Sequence, residues 1–113
     1  PTMAASFCMQ AEPYNVYFVE EATPIEDIGE LELLRSKTRI PIATGERLFT
    51  KYGFTEICSK HLVDYVQPDV VHCGGIMEMK KIAAIAETQK KLSKRGRGFK
   101  IMTMLRQCLC MPP

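Results

Sequence analysis

The sequence predicts an α/β fold built on a parallel sheet, and three observations carry that prediction. Three short β-like runs, Val16–Val19, Ile40–Thr44 and Tyr65–Gln67, each lead into an acid, at Glu20, Glu46 and Asp69. Those acids lie 26 and 23 residues apart, about the length that one strand, loop, helix and loop need before the next parallel strand. A helical pattern follows each run, so three βα units succeed one another.

Each element has a local reason. Residues 1–11 hold neither a clean period nor a charge and read only as a weak helix. Glu12-Pro13-Tyr14-Asn15 is turn chemistry, because proline disfavours a helix just before it. Val16–Val19 is β-branched and aromatic, which suits a buried parallel strand. The next helix is expected to open at Thr23, with Pro24 in its first turn and Glu26 and Asp27 complementing the helix dipole. Ile28, Leu31 and Leu34 then recur at helical spacing as far as about Lys37.

Ile40–Thr44 forms the second strand, and Gly45 allows a sharp turn that leaves Glu46 at its tip. Phe49–Lys60 repeats the helical pattern, with Tyr52, Ile57 and Leu62 expected near its buried side. After the third strand, Cys73-Gly74-Gly75 reads as a loop and Ile76–Gln89 as the best helix of the chain, with Ile82, Ile85 and Ala86 on one face. No β-like run is expected beyond Gln89. The units are therefore bounded as 12–89, with an uncertain segment at 1–11 and a basic, disordered or weakly helical tail at 90–113.

Composition narrows the function classes. With 46% hydrophobic and 25% charged residues the chain is ordinary globular material, and no apolar run approaches the roughly 18 residues of a membrane span. Five cysteines without paired C-x-x-C motifs read as reduced thiols in the cytoplasm rather than zinc ligands or a disulfide framework. The net charge of +2 hides an asymmetry: all 13 acids precede residue 88, and the 26 residues from Thr88 onward hold 7 Lys/Arg. Arg95-Gly-Arg97-Gly-Phe99 within that tail is the one stretch resembling an RNA-contacting segment; a solvated basic tail is the preferred reading.

In a parallel α/β sheet, ligands bind beyond the carboxyl ends of the strands, which directs Glu20, Glu46 and Asp69 towards one site. Carboxylates gathered there suit a hard cation with oxygen ligands, Mg²⁺ first. The plainer alternative is that each acid caps the next helix or pairs with a neighbour such as Arg47, and for Glu21, on the other side of the strand from Glu20, that alternative is preferred.

Tyr14-Asn-Val-Tyr-Phe-Val-Glu-Glu21, Arg39-Ile-Pro-Ile-Ala-Thr-Gly-Glu-Arg47, Asp64-Tyr-Val-Gln-Pro-Asp69, His72-Cys-Gly-Gly-Ile76 and Lys80-Lys-Ile-Ala-Ala-Ile-Ala-Glu87 together resemble the enolase superfamily. The likeness is to the mandelate racemase and muconate lactonizing branch, above all to acid-sugar dehydratases of the galactonate dehydratase kind. It implies a partial (β/α)₈ TIM barrel, holding the fourth, fifth and sixth strands of a parent that has eight.

The same resemblance implies Glu20 and Glu46 as two of three Mg²⁺ ligands, and Asp69 as the residue that orients a catalytic histidine rather than a ligand. It implies Arg47 as a substrate contact, an acid-sugar substrate and a homo-oligomeric parent. The implied chemistry is proton abstraction α to a carboxylate followed by loss of a β-hydroxyl; a racemase or epimerase parent is the alternative. The family's third-strand metal ligand and its seventh-strand histidine have no counterpart here. His61 is expected in a helix-to-strand loop and His72 in a structural or peripheral role. The chain therefore reads as a fragment, without turnover by itself, or as a non-catalytic remnant.

Overall fold

In the computed structural model, which describes residues 3–92 and 100–101, four parallel strands stand in sequential order: β1 (Val19–Glu20), β2 (Ile42–Thr44), β3 (Tyr65–Val66) and β4 (Lys100–Ile101). The helices are α1 (Met3–Ala11), α2 (Ile28–Lys37), α3 (Thr50–Ser59) and α4 (Ile76–Leu92), with a 3₁₀ turn at Glu12–Tyr14. Each pair of parallel strands needs a crossover, and α2, α3 and α4 supply the three between β1 and β4. The partial-barrel expectation holds as three βα units.

The β4 strand, parallel to β3 with Tyr65 opposite Lys100 and Val66 opposite Ile101, corrects the expectation that no strand follows Gln89. Two residues are too few for a period-2 pattern to register in the sequence. The helix before it also runs on to Leu92 rather than ending at Gln89. The remainder of the basic tail, with its Arg-Gly-Arg-Gly segment, lies outside the described residues.

Strand lengths differ from expectation for a covalent reason. Val19 donates its N–H to the Pro41 carbonyl at 2.9 Å, but Pro41 has no N–H to return. The ladder therefore starts at Val19 and Ile42 rather than at Val16 and Ile40. Ahead of β1, Asn15 closes the 3₁₀ turn in the left-handed region at φ 51° and donates its N–H to the Glu12 carbonyl.

The α2 helix starts at Ile28 rather than near Thr23. Asp27 is its N-cap, the Oδ1 accepting from the Glu30 N–H at 2.9 Å. Pro24 serves instead as the carbonyl acceptor of the preceding turn, bonded by the Asp27 N–H.

The core lies between the sheet and its helices. Leu31 and Leu34 of α2, Phe54, Ile57 and Cys58 of α3, and Ile82 and Ala86 of α4 bury together with Ile42, Val66 and Cys8. Tyr52, expected on the buried side of α3, is 72% exposed; the buried face of this helix is the one carrying Phe54, Ile57 and Cys58. Burying these aromatic and aliphatic side chains contributes about 1.5–3 kcal/mol each.

Candidate functional site at the carboxyl ends of the strands

Strand register sets the geometry of the site. Glu20, Ala43 and Tyr65 are cross-strand partners in one row, whereas Val19 pairs with Ile42, and Thr44 with Val66, in the rows between. Because side chains alternate along a strand, the Ile42 and Val66 rows face the helices and the Glu20 row takes the opposite face. There Tyr17, Phe18 and Tyr65 pack ring on ring, with centroids 5.4–5.6 Å apart.

Beyond the strand ends the chain turns sharply three times. Glu20 ends β1, and Glu21 follows in the left-handed region at φ 48°, a conformation uncommon for a non-glycine residue. It is held there by bonds to four residues around it, Arg47 making two. Its N–H donates to the Ala43 carbonyl, and its carboxylate accepts from Thr44 Oγ1 at 2.6 Å, from the Gly45 N–H at 2.9 Å and from the Arg47 guanidinium at 2.6 Å. Partial burial opposes ionisation, but these donors outweigh it and hold the Glu21 carboxyl below the usual carboxylate range. Arg47 is therefore Glu21's partner in this structure.

Gly45 lies at φ 134°, and a methyl group there would meet Phe54 Cε1 at 2.8 Å and the Gln67 nitrogen at 3.0 Å. Only glycine fits, and the turn after it carries Glu46 onto the mouth of the sheet. Desolvation, then the charge of Glu46 and that of Glu21, push the Glu20 carboxyl above its ordinary range. The charge of Glu46 thus bears on Glu20.

Asp69, after β3, is buried and caps its own loop. Its Oδ1 accepts from the Val71 N–H at 2.7 Å and the His72 N–H at 3.0 Å. The His72 bond first, and Val71 behind it, hold the Asp69 carboxyl low against its burial. The loop closes through Cys73 N–H to the Asp69 carbonyl and Gly75 N–H to the Val70 carbonyl, both at 2.8 Å.

As hard oxygen donors at one mouth, Glu20 and Glu46 fit a Mg²⁺ ion in type. They do not complete its ligand set. Among the described residues no group of three or more His, Cys, Asp or Glu side chains is placed to hold a metal.

Two features of the site escape the sequence patterns. His72 Nδ1 lies 3.2 Å from the Glu46 carbonyl oxygen, and its ring packs on Phe49 at 6.0 Å. Glu78, in the first turn of α4, binds the Lys51 N–H at 3.1 Å and Lys51 Nζ at 3.3 Å. Neither contact has a fixed sequence spacing that could announce it. His61, by contrast, sits where expected, just past α3, at φ 54°.

Residues 1–96 match the family described as enolase C-terminal domain-like. The chain belongs to that family. This enolase-type segment is 41% identical over 85 residues to a D-galactonate dehydratase of Xanthomonas oryzae pv. oryzae strain PXO99A, covering 75% of this chain and 22% of that protein. It is 34% identical over 87 residues to a D-mannonate dehydratase of Sphingomonas sp. strain SKA58, covering 77% and 22%.

Among solved structures, the 3,6-anhydro-D-galactonate cycloisomerase of Zobellia galactanivorans matches with a TM-score of 0.74 and 35% identity over 88% of this chain and 27% of that one. A mandelate racemase/muconate lactonizing enzyme of Polaromonas sp. JS666 matches with a TM-score of 0.71 and 32% identity over 76% and 24%. The enolase-type segment therefore spans about a fifth of the length of the curated relatives it matches. No helix among the described residues is long and apolar enough to cross a membrane.

Proposed function

We propose that this chain carries the fourth to sixth βα units of a Mg²⁺-dependent acid-sugar dehydratase acting on a galactonate-like substrate. The observation that supports this reading best is the placement of Glu20 at the end of β1 and of Glu46 just past the end of the adjacent strand β2. Among the described residues neither carboxylate has a cationic side chain bonded to it, whereas Glu21 beside them has Arg47. The charge of Glu46 makes ionisation of Glu20 less favourable, and a bound cation would offset that cost. The D-galactonate and D-mannonate dehydratases among the relatives favour a sugar acid as substrate.

The residues have separable roles in this reading. Glu20 and Glu46 would hold the ion, which would supply neutralisation of the charge that builds up as a proton leaves the carbon α to the substrate carboxylate. Glu21 fixes Thr44, Gly45 and Arg47, and so sets the turn from which Glu46 projects. Asp69 is kept ionised by its loop amides, the state in which it can accept a hydrogen bond from a histidine base and raise its basicity. Arg47, bonded to Glu21, retains guanidinium edges for a substrate oxygen. A racemase or epimerase would use the same metal ligands, and the mandelate racemase/muconate lactonizing neighbour keeps that alternative in view.

The test is Mn²⁺ binding by the purified chain, followed by electron paramagnetic resonance, beside an assay for 2-keto-3-deoxy acid from galactonate. Expected are weak Mn²⁺ binding, a loss of affinity of about tenfold or more in either Glu20→Gln or Glu46→Gln, and no turnover by the chain alone. Mn²⁺ affinity indifferent to both substitutions would sink the metal assignment.

A further inference from the structure

Glu46 sits between Gly45 and Arg47, which Glu21 ties to the end of β1, on a loop with little main-chain bonding of its own. The one main-chain hydrogen bond within Gly45–Leu48 is from the Leu48 N–H to the Gly45 carbonyl at 3.1 Å. By contrast, the loop after β3 is closed by two carbonyl bonds and by both amides on Asp69 Oδ1. His72 spans from the well-bonded loop to the sparse one. Its main chain is pinned by Asp69 at 3.0 Å, its Nδ1 reaches the Glu46 carbonyl at 3.2 Å, and its ring packs on Phe49, three residues past Glu46.

A carbonyl oxygen can only accept, so the Nδ1 must carry the proton. We infer that His72 is a positioning residue: its Nδ1–H clamps the Glu46 main chain to the Asp69 loop and so fixes the Glu46 carboxylate relative to Glu20. This role rests on the metal reading above for its purpose, but the clamp itself is a contact between two loops. Lys51 and Glu78 separately join the first turns of α3 and α4, the helices that follow these two loops. Without His72, the Glu46 loop would keep its ties to Glu21 on the β1 side but lose its tie to the Asp69 loop, so the Glu46 main chain would be held from one side only.

Three readouts on the full chain, in wild type, His72→Ala and His72→Asn, test the clamp. An asparagine Nδ2 occupies nearly the place of the histidine Nδ1 and donates the same bond, whereas alanine cannot. Expected are an Nδ1–H on the His72 ring in ¹⁵N–¹H correlation spectra, and amide exchange at Leu48 about fivefold faster in His72→Ala. His72→Asn should return that exchange to within about twofold of wild type, a rescue that a ring filling space on Phe49 would not show. Mn²⁺ affinity should follow the same order.

A ring protonated at Nε2 alone, or Leu48 exchange unchanged in His72→Ala, would overturn the clamp. Exchange that follows His72 in a chain that binds no Mn²⁺ would leave the clamp standing and remove the metal reading instead.

Discussion

Single residues at the site do work that their neighbours in the sequence do not announce. Gly45 was expected as a turn residue, and the structure adds why no other residue fits: φ is 134°, and the space a methyl group would need is taken by Phe54 and the Gln67 backbone. Gly45→Ala is expected to lower stability by about 2 kcal/mol or more, read as a shift of the urea midpoint. An unchanged midpoint would mean that the strand end relaxes freely. Glu21 is the converse case. Its partners, Thr44, Gly45 and Arg47, stand 23 to 26 positions away. Their arrival at one carboxylate is a consequence of strand pairing.

At the scale of elements, α3 and α4 are joined at their amino ends by Glu78. Hydrogen bonding from the Lys51 N–H, then the Lys81 and Lys51 ammonium groups, bring the Glu78 carboxyl down to about 2. The folded value lies below the ordinary carboxylate value of 4.5, so the ionised form is favoured by folding. Its contribution is complete above about pH 4.5 and is lost as pH falls through about 2. Glu78→Gln should therefore destabilise the chain at pH 6 and matter progressively less towards pH 2. Urea titrations of both proteins across that range check the sign; a difference that grows on acidification would refute it.

At the scale of the whole molecule, one buried ion pair among the described residues spans the sheet. Arg35 of α2 bonds both oxygens of Asp64 at 2.7 and 3.2 Å, and Asp64 Oδ2 also accepts from the Ile42 N–H at 3.0 Å. The two side chains are only 12% and 9% exposed. A helix, the amino end of β2 and the entry to β3 thus meet at one carboxylate. Asp64→Ala leaves a guanidinium and an amide buried without it and should cost about 3–5 kcal/mol in urea unfolding. The double change Arg35→Met with Asp64→Leu should cost less than Asp64→Ala, because no charge is then stranded. A double variant less stable than the single would show that the pair is favourable in its own right.

Much of this architecture is written locally in the chain. The β-branched runs, the helical spacing of Leu31 and Leu34 or Ile82 and Ala86, and an acid after each run depend on residues close in sequence. Periodicity is a local property, so the three βα units and the mouth acids could be read before any fold was known. Contacts that join one unit to the next could not. The Pro41 limit on the first ladder, the two-residue β4 strand, the exposed side of Tyr52, the Arg35–Asp64 pair and the reach of His72 to Glu46 all link residues from different units. Their geometry exists only once the strands are in register, because distance along the chain says nothing of which side chains a parallel sheet will bring face to face.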